Sequence, residues 1–129
     1  MDKNINQSVQ LTFKQAVKNH TENNIKEAKN LYLKVIEIDP NHEDAHNNLG
    51  IIFSNSGDLE KAKSCYEKAL TINPRNFNAY NNIGNIFKEL GDIKDAINNY
   101  EKSIQFNPRH VYAYNNLGLI FYDLGEYVK

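Results

Sequence analysis

Two histidines four residues apart, with a glutamate after the first, are the arrangement in this sequence closest to a reactive centre. His42-Glu43-Asp44-Ala45-His46 matches H-E-x-x-H. On one helical turn such a pair can hold zinc while the glutamate serves as base. The motif follows Pro40 directly, which puts His42 at the first turn or cap of a helix, and the sequence offers no third ligand. His20 and His110 add no metal spacing. The lone cysteine, Cys65, precedes Tyr66 and has no paired histidine, so it reads as a structural or surface thiol and not as a nucleophile. No P-loop, no G-x-G-x-x-G and no G-x-S-x-G occurs. The sequence therefore assigns no catalytic residue, no metal and no cofactor, and the chain is expected not to be an enzyme.

The elements that would position any site follow a strict ruler. The prolines, Pro40, Pro74 and Pro108, stand 34 residues apart. The glycines form two columns on the same period, Gly50, Gly84, Gly118 and Gly57, Gly91, Gly125. Ala28, Ala62, Ala96 and Tyr32, Tyr66, Tyr100 keep the register, as do Phe53, Phe87 and Phe121. A helical repeat explains such spacing, and a single globular domain does not. The frame gives a polar segment over 1–8, repeats over 9–42, 43–76 and 77–110, and the first helix of a fourth repeat over 111–129.

Each repeat reads as a helix A and a helix B. Leu49, Ile52 and Phe53 show helical spacing in one helix A, and Tyr80, Ile83 and Phe87 in the next. Gly57 and Gly91 supply the left-handed residue that ends helix A, with Asn23 in that place in the first repeat. Asn24, Asp58 and Asp92 are expected to cap helix B. Asp39-Pro40, Asn73-Pro74 and Asn107-Pro108 then end it, since the residue before proline leaves the α region. Gly50, Gly84 and Gly118 lie inside helix A, where glycine costs about 1 kcal/mol relative to alanine. Close helix contact is the expected compensation.

These columns resemble the tetratricopeptide repeat (TPR). Tyr80, Ile83, Gly84, Phe87, Ala96, Tyr100, Ser103 and Pro108 stand where that family's motif has its aromatic, L-G, aromatic, alanine, aromatic, small and proline positions. Leu49, Gly50, Phe53, Ala62, Tyr66, Ala69 and Pro74 do the same one repeat earlier, with His46 in the first aromatic slot. The resemblance covers 9–129. It implies an all-α fold, a right-handed α-solenoid of antiparallel helix pairs about three and a half repeats long. Ala79-Tyr80-Asn81-Asn82-Ile83-Gly84 and Ala113-Tyr114-Asn115-Asn116-Leu117-Gly118 also resemble the TPR arrays of O-linked N-acetylglucosaminyltransferase-type proteins.

In a TPR array the A helices line a groove. At about 100° per residue, the second, fifth, ninth, twelfth and thirteenth positions of each repeat lie opposite the core columns, with the sixth at the edge. The fifth position holds Phe13, Asn47, Asn81 and Asn115, and the sixth Lys14, Asn48, Asn82 and Asn116. Asn85, Lys88 and Tyr112 share the face. A carboxamide both donates and accepts, which suits an extended peptide's N–H and C=O. In the transferase family the resembling column at the sixth position grips peptide. The candidate ligand-binding residues are thus Asn47, Asn48, Asn81, Asn82, Asn85, Asn115, Asn116, Lys88 and Tyr112. The carboxylate-clamp type of TPR, which holds chaperone tails, needs lysine and arginine on this face, but the fifth position is Asn in three repeats and the sixth is Lys only at Lys14.

The expected function is a protein-interaction module that binds a peptide or partner protein. The alternative is the substrate-recruiting region of a larger enzyme such as an O-GlcNAc-type glycosyltransferase. A net charge of −1 argues against a nucleic-acid partner, and apolar runs of at most three residues, tyrosine not counted, against a membrane span. A polar N-terminus and a single cysteine point to the cytoplasm. The fourth helix A carries Tyr114, Leu117, Ile120, Phe121 and Leu124, with Gly125 announcing a helix B that 129 residues do not complete. The expectation is a truncation of a longer protein, or self-association through this open C-terminal end.

Overall fold

The computed structural model describes residues 2–128, which form seven α-helices and, among the described residues, no strand. In order these are α1 (Lys3–Thr21), α2 (Ile25–Ile38), α3 (Glu43–Asn55), α4 (Leu59–Ile72), α5 (Phe77–Leu90), α6 (Ile93–Phe106) and α7 (Val111–Val128). They divide into two compact units, the first holding α1 to α4 and the second α5 to α7. Within each, helices pack as the antiparallel pairs that the period requires.

Helix α1 starts earlier than the repeat frame suggests. Asp2 caps it by accepting from the Asn4 N–H at 3.1 Å, so most of the polar segment over 1–8 is helical. The A-to-B turns rest on left-handed residues, Asn23 (φ 64°), Gly57 (φ 87°) and Gly91 (φ 85°). Gly125 departs from its column: α7 continues through it to Val128. At Gly91 the turn is held by Asp92 N–H donating to Phe87 O at 2.8 Å as the chain doubles back into α6. No returning helix follows Gly125 among the described residues.

Of the three B-helix caps expected, only Asp58 makes a side-chain capping bond, accepting from Lys61 N–H at 3.1 Å; Asn24 and Asp92 make none. The A helices have caps of their own. His42 Nδ1 accepts from Ala45 N–H at 3.1 Å, and Asn76 Oδ1 from Ala79 N–H at 2.9 Å. The residue before each proline also works beyond ending helix B. Asp39, Asn73 and Asn107 accept from the backbone N–H two residues on, at 3.1–3.3 Å, closing an Asx turn over the proline.

In the first unit Val9, Ala16, Ala28, Tyr32, Val35, Ala45, Leu49 and Ile52 form one buried cluster. In the second, Ala96, Tyr100 and Ile120 are buried with Phe87, Ile93, Ile97 and Leu117 packed on them. The helical glycines are explained by tyrosines. A Cβ at Gly50 would come within 2.5 Å of the Tyr66 ring, and one at Gly84 within 2.6 Å of the Tyr100 ring. In α4 and α6 a phenol ring thus lies against the glycine of the A helix before it, whereas in the first repeat Ala16 holds that position beside the fully buried Tyr32. Ser103 Oγ adds a donation to Phe77 O at 2.8 Å.

Candidate functional site

The H-E-x-x-H pair is used up by the backbone. His42 caps α3, and His46 Nε2 lies 2.9 Å from Pro40 O, which can only accept, so that nitrogen carries the proton and donates. Among the described residues no group of three His, Cys, Asp or Glu side chains is placed to hold a metal ion. Burial pushes the Cys65 thiol up, away from thiolate chemistry.

The asparagines fall into two classes that the sequence did not separate. Asn47 and Asn81 are buried, at 3% and 7% exposure. The reason is geometric: helix A packs on more than one neighbour, so the fifth position faces a helix as well as the groove. Asn81 Oδ1 accepts from Asn116 Nδ2 at 3.0 Å, which ties α5 to α7. Asn48, Asn82 and Asn116 are half-buried, while Asn85 and Asn115 are exposed. Lys88 is half-buried and Tyr112 exposed on the same two helices of the second unit.

Buried phenols anchor this face from behind. Tyr100 Oη donates to Asn85 Oδ1 at 2.6 Å, across from α6 to α5. Burial pushes the Tyr100 phenol up to about 12. In the first unit the Tyr32 hydroxyl lies 3.0 Å from His20 Nδ1. Burial pushes the Tyr32 phenol up, partly opposed by a hydrogen bond with Asn48, and burial lowers the His20 pKa. Burial likewise raises Tyr66, reinforced by Cys65 beside it. The sequence marks the tyrosine column as core; that its hydroxyls would reach helix A was missed. The signal was there: a phenol in a core needs a partner, and Asn85 and His20 are polar residues on the opposing helix.

Intramolecular bonds thus set the orientation of Asn81, Asn85 and Asn116 on the A helices of the second unit. One bond uses only part of a carboxamide's capacity of two donors and two acceptor lone pairs. The two units differ in what else lies there. In the first, the second, fifth, ninth and twelfth positions of α3 read Asp44, Asn47, Ile51 and Ser54; in the second, those of α5 read Asn78, Asn81, Asn85 and Lys88.

A family model described as TPR repeat matches residues 20–57 and 84–125, and models described as tetratricopeptide repeat match 43–76 and 65–98. The chain belongs to the tetratricopeptide repeat family. Among solved structures this TPR chain is similar to the first TPR domain of Spaghetti (RPAP3) bound to an HSP90 peptide. That match has 22% identity and a TM-score of 0.81, over 92% of this chain and 94% of that one. It is also similar to pilF of Pseudomonas aeruginosa, with 26% identity and a TM-score of 0.84, over 95% of this chain and 56% of that one. The O-GlcNAc transferase of Thermobaculum terrenum matches with a TM-score of 0.86 at 17% identity, over 93% of this chain and 23% of that one. The TPR chain therefore spans just over half of pilF and under a quarter of the transferase. No curated protein sequence matches it. Among the described residues no helix is long and apolar enough to cross a membrane.

Proposed function

We propose that this TPR chain is a protein-interaction module that holds an extended peptide, or a segment of a partner protein, against its A helices. The observation that carries the reading is the pre-set asparagine surface of the second unit, Asn85 fixed by Tyr100 and Asn116 by Asn81. Carboxamides already held in place lose little side-chain entropy when a ligand's main chain binds. Asn82, Asn85, Asn115 and Asn116 form the gripping set, with Lys88 and Tyr112 beside them, and Asn48 serves the first unit. Asn47 and Asn81 hold the surface together from within. The Spaghetti domain with its HSP90 peptide supports peptide binding by this fold. Lacking the clamp's basic residues, this chain would recognise main chain more than a charged terminus.

The partner is a polypeptide and neither a nucleic acid nor a membrane, in keeping with the balanced charge, and the proposed compartment is the cytoplasm. A second reading, the substrate-recruiting array of a larger glycosyltransferase, is favoured by the backbone likeness to the Thermobaculum enzyme and would use the same surface. The test is a peptide-array screen followed by Asn82→Ala combined with Asn115→Ala, neither of which makes an intramolecular bond described above. Affinity for a selected peptide should fall roughly tenfold or more with helicity kept. Unchanged affinity would sink the proposal.

A further inference from the structure

The Tyr32 hydroxyl joins three helices of the first unit. It lies 3.0 Å from His20 Nδ1 on α1, and it also bonds to Asn48 on α3. The His20 and Tyr32 rings meet edge to face, with centroids 5.7 Å apart at 77°. Tyr32 is 0% exposed, so no water reaches its hydroxyl, while His20 and Asn48 are half-buried.

A hydroxyl has one proton to give, and an imidazole nitrogen either takes it or offers its own. The bond to Asn48 shows which way the chain runs. Asn48 opposes the rise of the Tyr32 phenol, which is the effect of a donor on the phenolate form. Asn48 therefore gives a carboxamide N–H to Tyr32, and Tyr32 gives its O–H to a bare His20 Nδ1. His20 is then neutral, with its proton on Nε2, and Asn48 Oδ1 is turned away from the phenol. A proton on Nδ1 reverses every step. His20 becomes a donor at both nitrogens, and the Tyr32 proton needs a new acceptor. A buried donor without one is destabilising. Among the described residues Asn48 is the other group bonded to that hydroxyl, and it can accept once its carboxamide turns over, with Oδ1 toward the phenol and Nδ2 away.

Tyr32 is the titratable group that meets His20. The cavity of about 280 Å³ beside the imidazole is lined by Asn23 and Ile25 at the start of α2 and by Ile52, Asn55 and Ser56 at the end of α3, none of which titrates. Lys18 and Glu22, on α1 itself, line a different cavity together with Glu27 of α2.

We propose that His20 sets which polar group Asn48 presents to the groove, the carbonyl while His20 is neutral and the amide N–H once it is protonated, with Tyr32 carrying the reversal between them. The proposal rests on the reading of the asparagine face as a peptide site and adds control by pH to its first-unit member. Burial holds the His20 pKa below the ordinary 6.5, so the reversal belongs to mildly acidic solution. The second unit contains its own control. Tyr100 donates straight to Asn85 Oδ1, and Lys88 stands where the first repeat has His20.

The experiment is an NMR titration of the 129-residue chain without ligand, from about pH 7.5 to about pH 5, following the Asn48 side-chain amide and the His20 ring nitrogens. The Asn48 amide should move with the His20 midpoint, and the Asn85 amide should not. His20→Asn, whose carbonyl can accept from Tyr32 at any pH, should abolish the movement. Tyr32→Phe should abolish it while His20 still titrates, and circular dichroism checks both folds. If Tyr32→Phe does not fold, His20→Asn carries the decision alone. An Asn48 amide that stays still while His20 titrates overturns the proposal. So does one that moves as far in Tyr32→Phe, since that is the bare field of the imidazolium. A His20 that takes up no proton before the first unit unfolds overturns it as well. The array-selected peptide supplies a second arm. A peptide held by the Asn48 carbonyl should lose affinity roughly fivefold or more on acidification, and lose none in His20→Asn. If the amide moves and the affinity does not, the reversal stands and Asn48 leaves the gripping set.

Discussion

Gly84 and Gly118 are the same residue at the same position of successive A helices, and their surroundings are opposite. Gly84 lies under a fully buried tyrosine, and Gly118 faces open space. Within the helix both cost the same, about 1 kcal/mol against alanine. At Gly84 the cost is offset by a seam in which an added methyl would crowd the Tyr100 ring; at Gly118 an added Cβ meets nothing within 4 Å among the described residues. A glycine in a helix has no fixed meaning of its own, and what lies across from it decides whether it stabilises or weakens the fold.

The strongest way to break this comparison is to make one substitution at both sites. Gly84→Ala should lower the stability of the second unit by about 1–3 kcal/mol, because the fully buried Tyr100 ring would have to shift to make room for the methyl. Gly118→Ala should raise it by about 0.5–1 kcal/mol, the bare helix-propensity gain. Urea unfolding midpoints of the two variants settle the sign. If both variants gain stability, the tyrosine contact at Gly84 is not the constraint described here.

A smaller effect sharpens the contrast at the helix starts. Asn76 caps α5 with its carboxamide, and His110 stands in the equivalent place before α7. His110 is buried beside Phe77, with ring centroids 5.0 Å apart, and its Nε2 has no hydrogen-bond partner among the described residues. Burial holds its pKa below the ordinary 6.5. The unfolded chain therefore takes up the proton first. The contribution of neutral His110 is fully present above pH 6.5 and is lost as pH falls through the lower folded value. His20 is shifted in the same direction, so the informative quantity is the difference between wild type and His110→Asn. The variant should flatten the fall in stability between neutral and mildly acidic pH. An unchanged slope would show that His110 is not buried in its neutral form.

Much of the fold is legible in the sequence because glycine and proline report backbone geometry directly. Asn23 and Gly91 announce left-handed turns, and Asp39, Asn73 and Asn107 announce helix ends, from their own conformational limits. The caps are less legible: His42 and Asn76 belong to a column of mixed chemistry, and a histidine cap has no periodic signature. The asparagine site is the least legible part. Helical periodicity tells which way Asn81 points but not that α7 comes close enough to bury it. Nor does it say that Tyr100 would reach across to Asn85. Those facts depend on distances between helices, which period alone does not carry.

The tyrosines that lie on the glycines have one more consequence. The sequence has no tryptophan, so its near-ultraviolet absorbance belongs almost wholly to phenols. Tyr100 keeps its proton until about pH 12 in the folded protein, whereas an unfolded chain surrenders it near the ordinary 10.0. In the interval between those values every opening of the second unit releases a proton and draws the fold apart. The ring that sits on Gly84 thereby adds its own phenolate to the absorbance of the other tyrosines as the helices part.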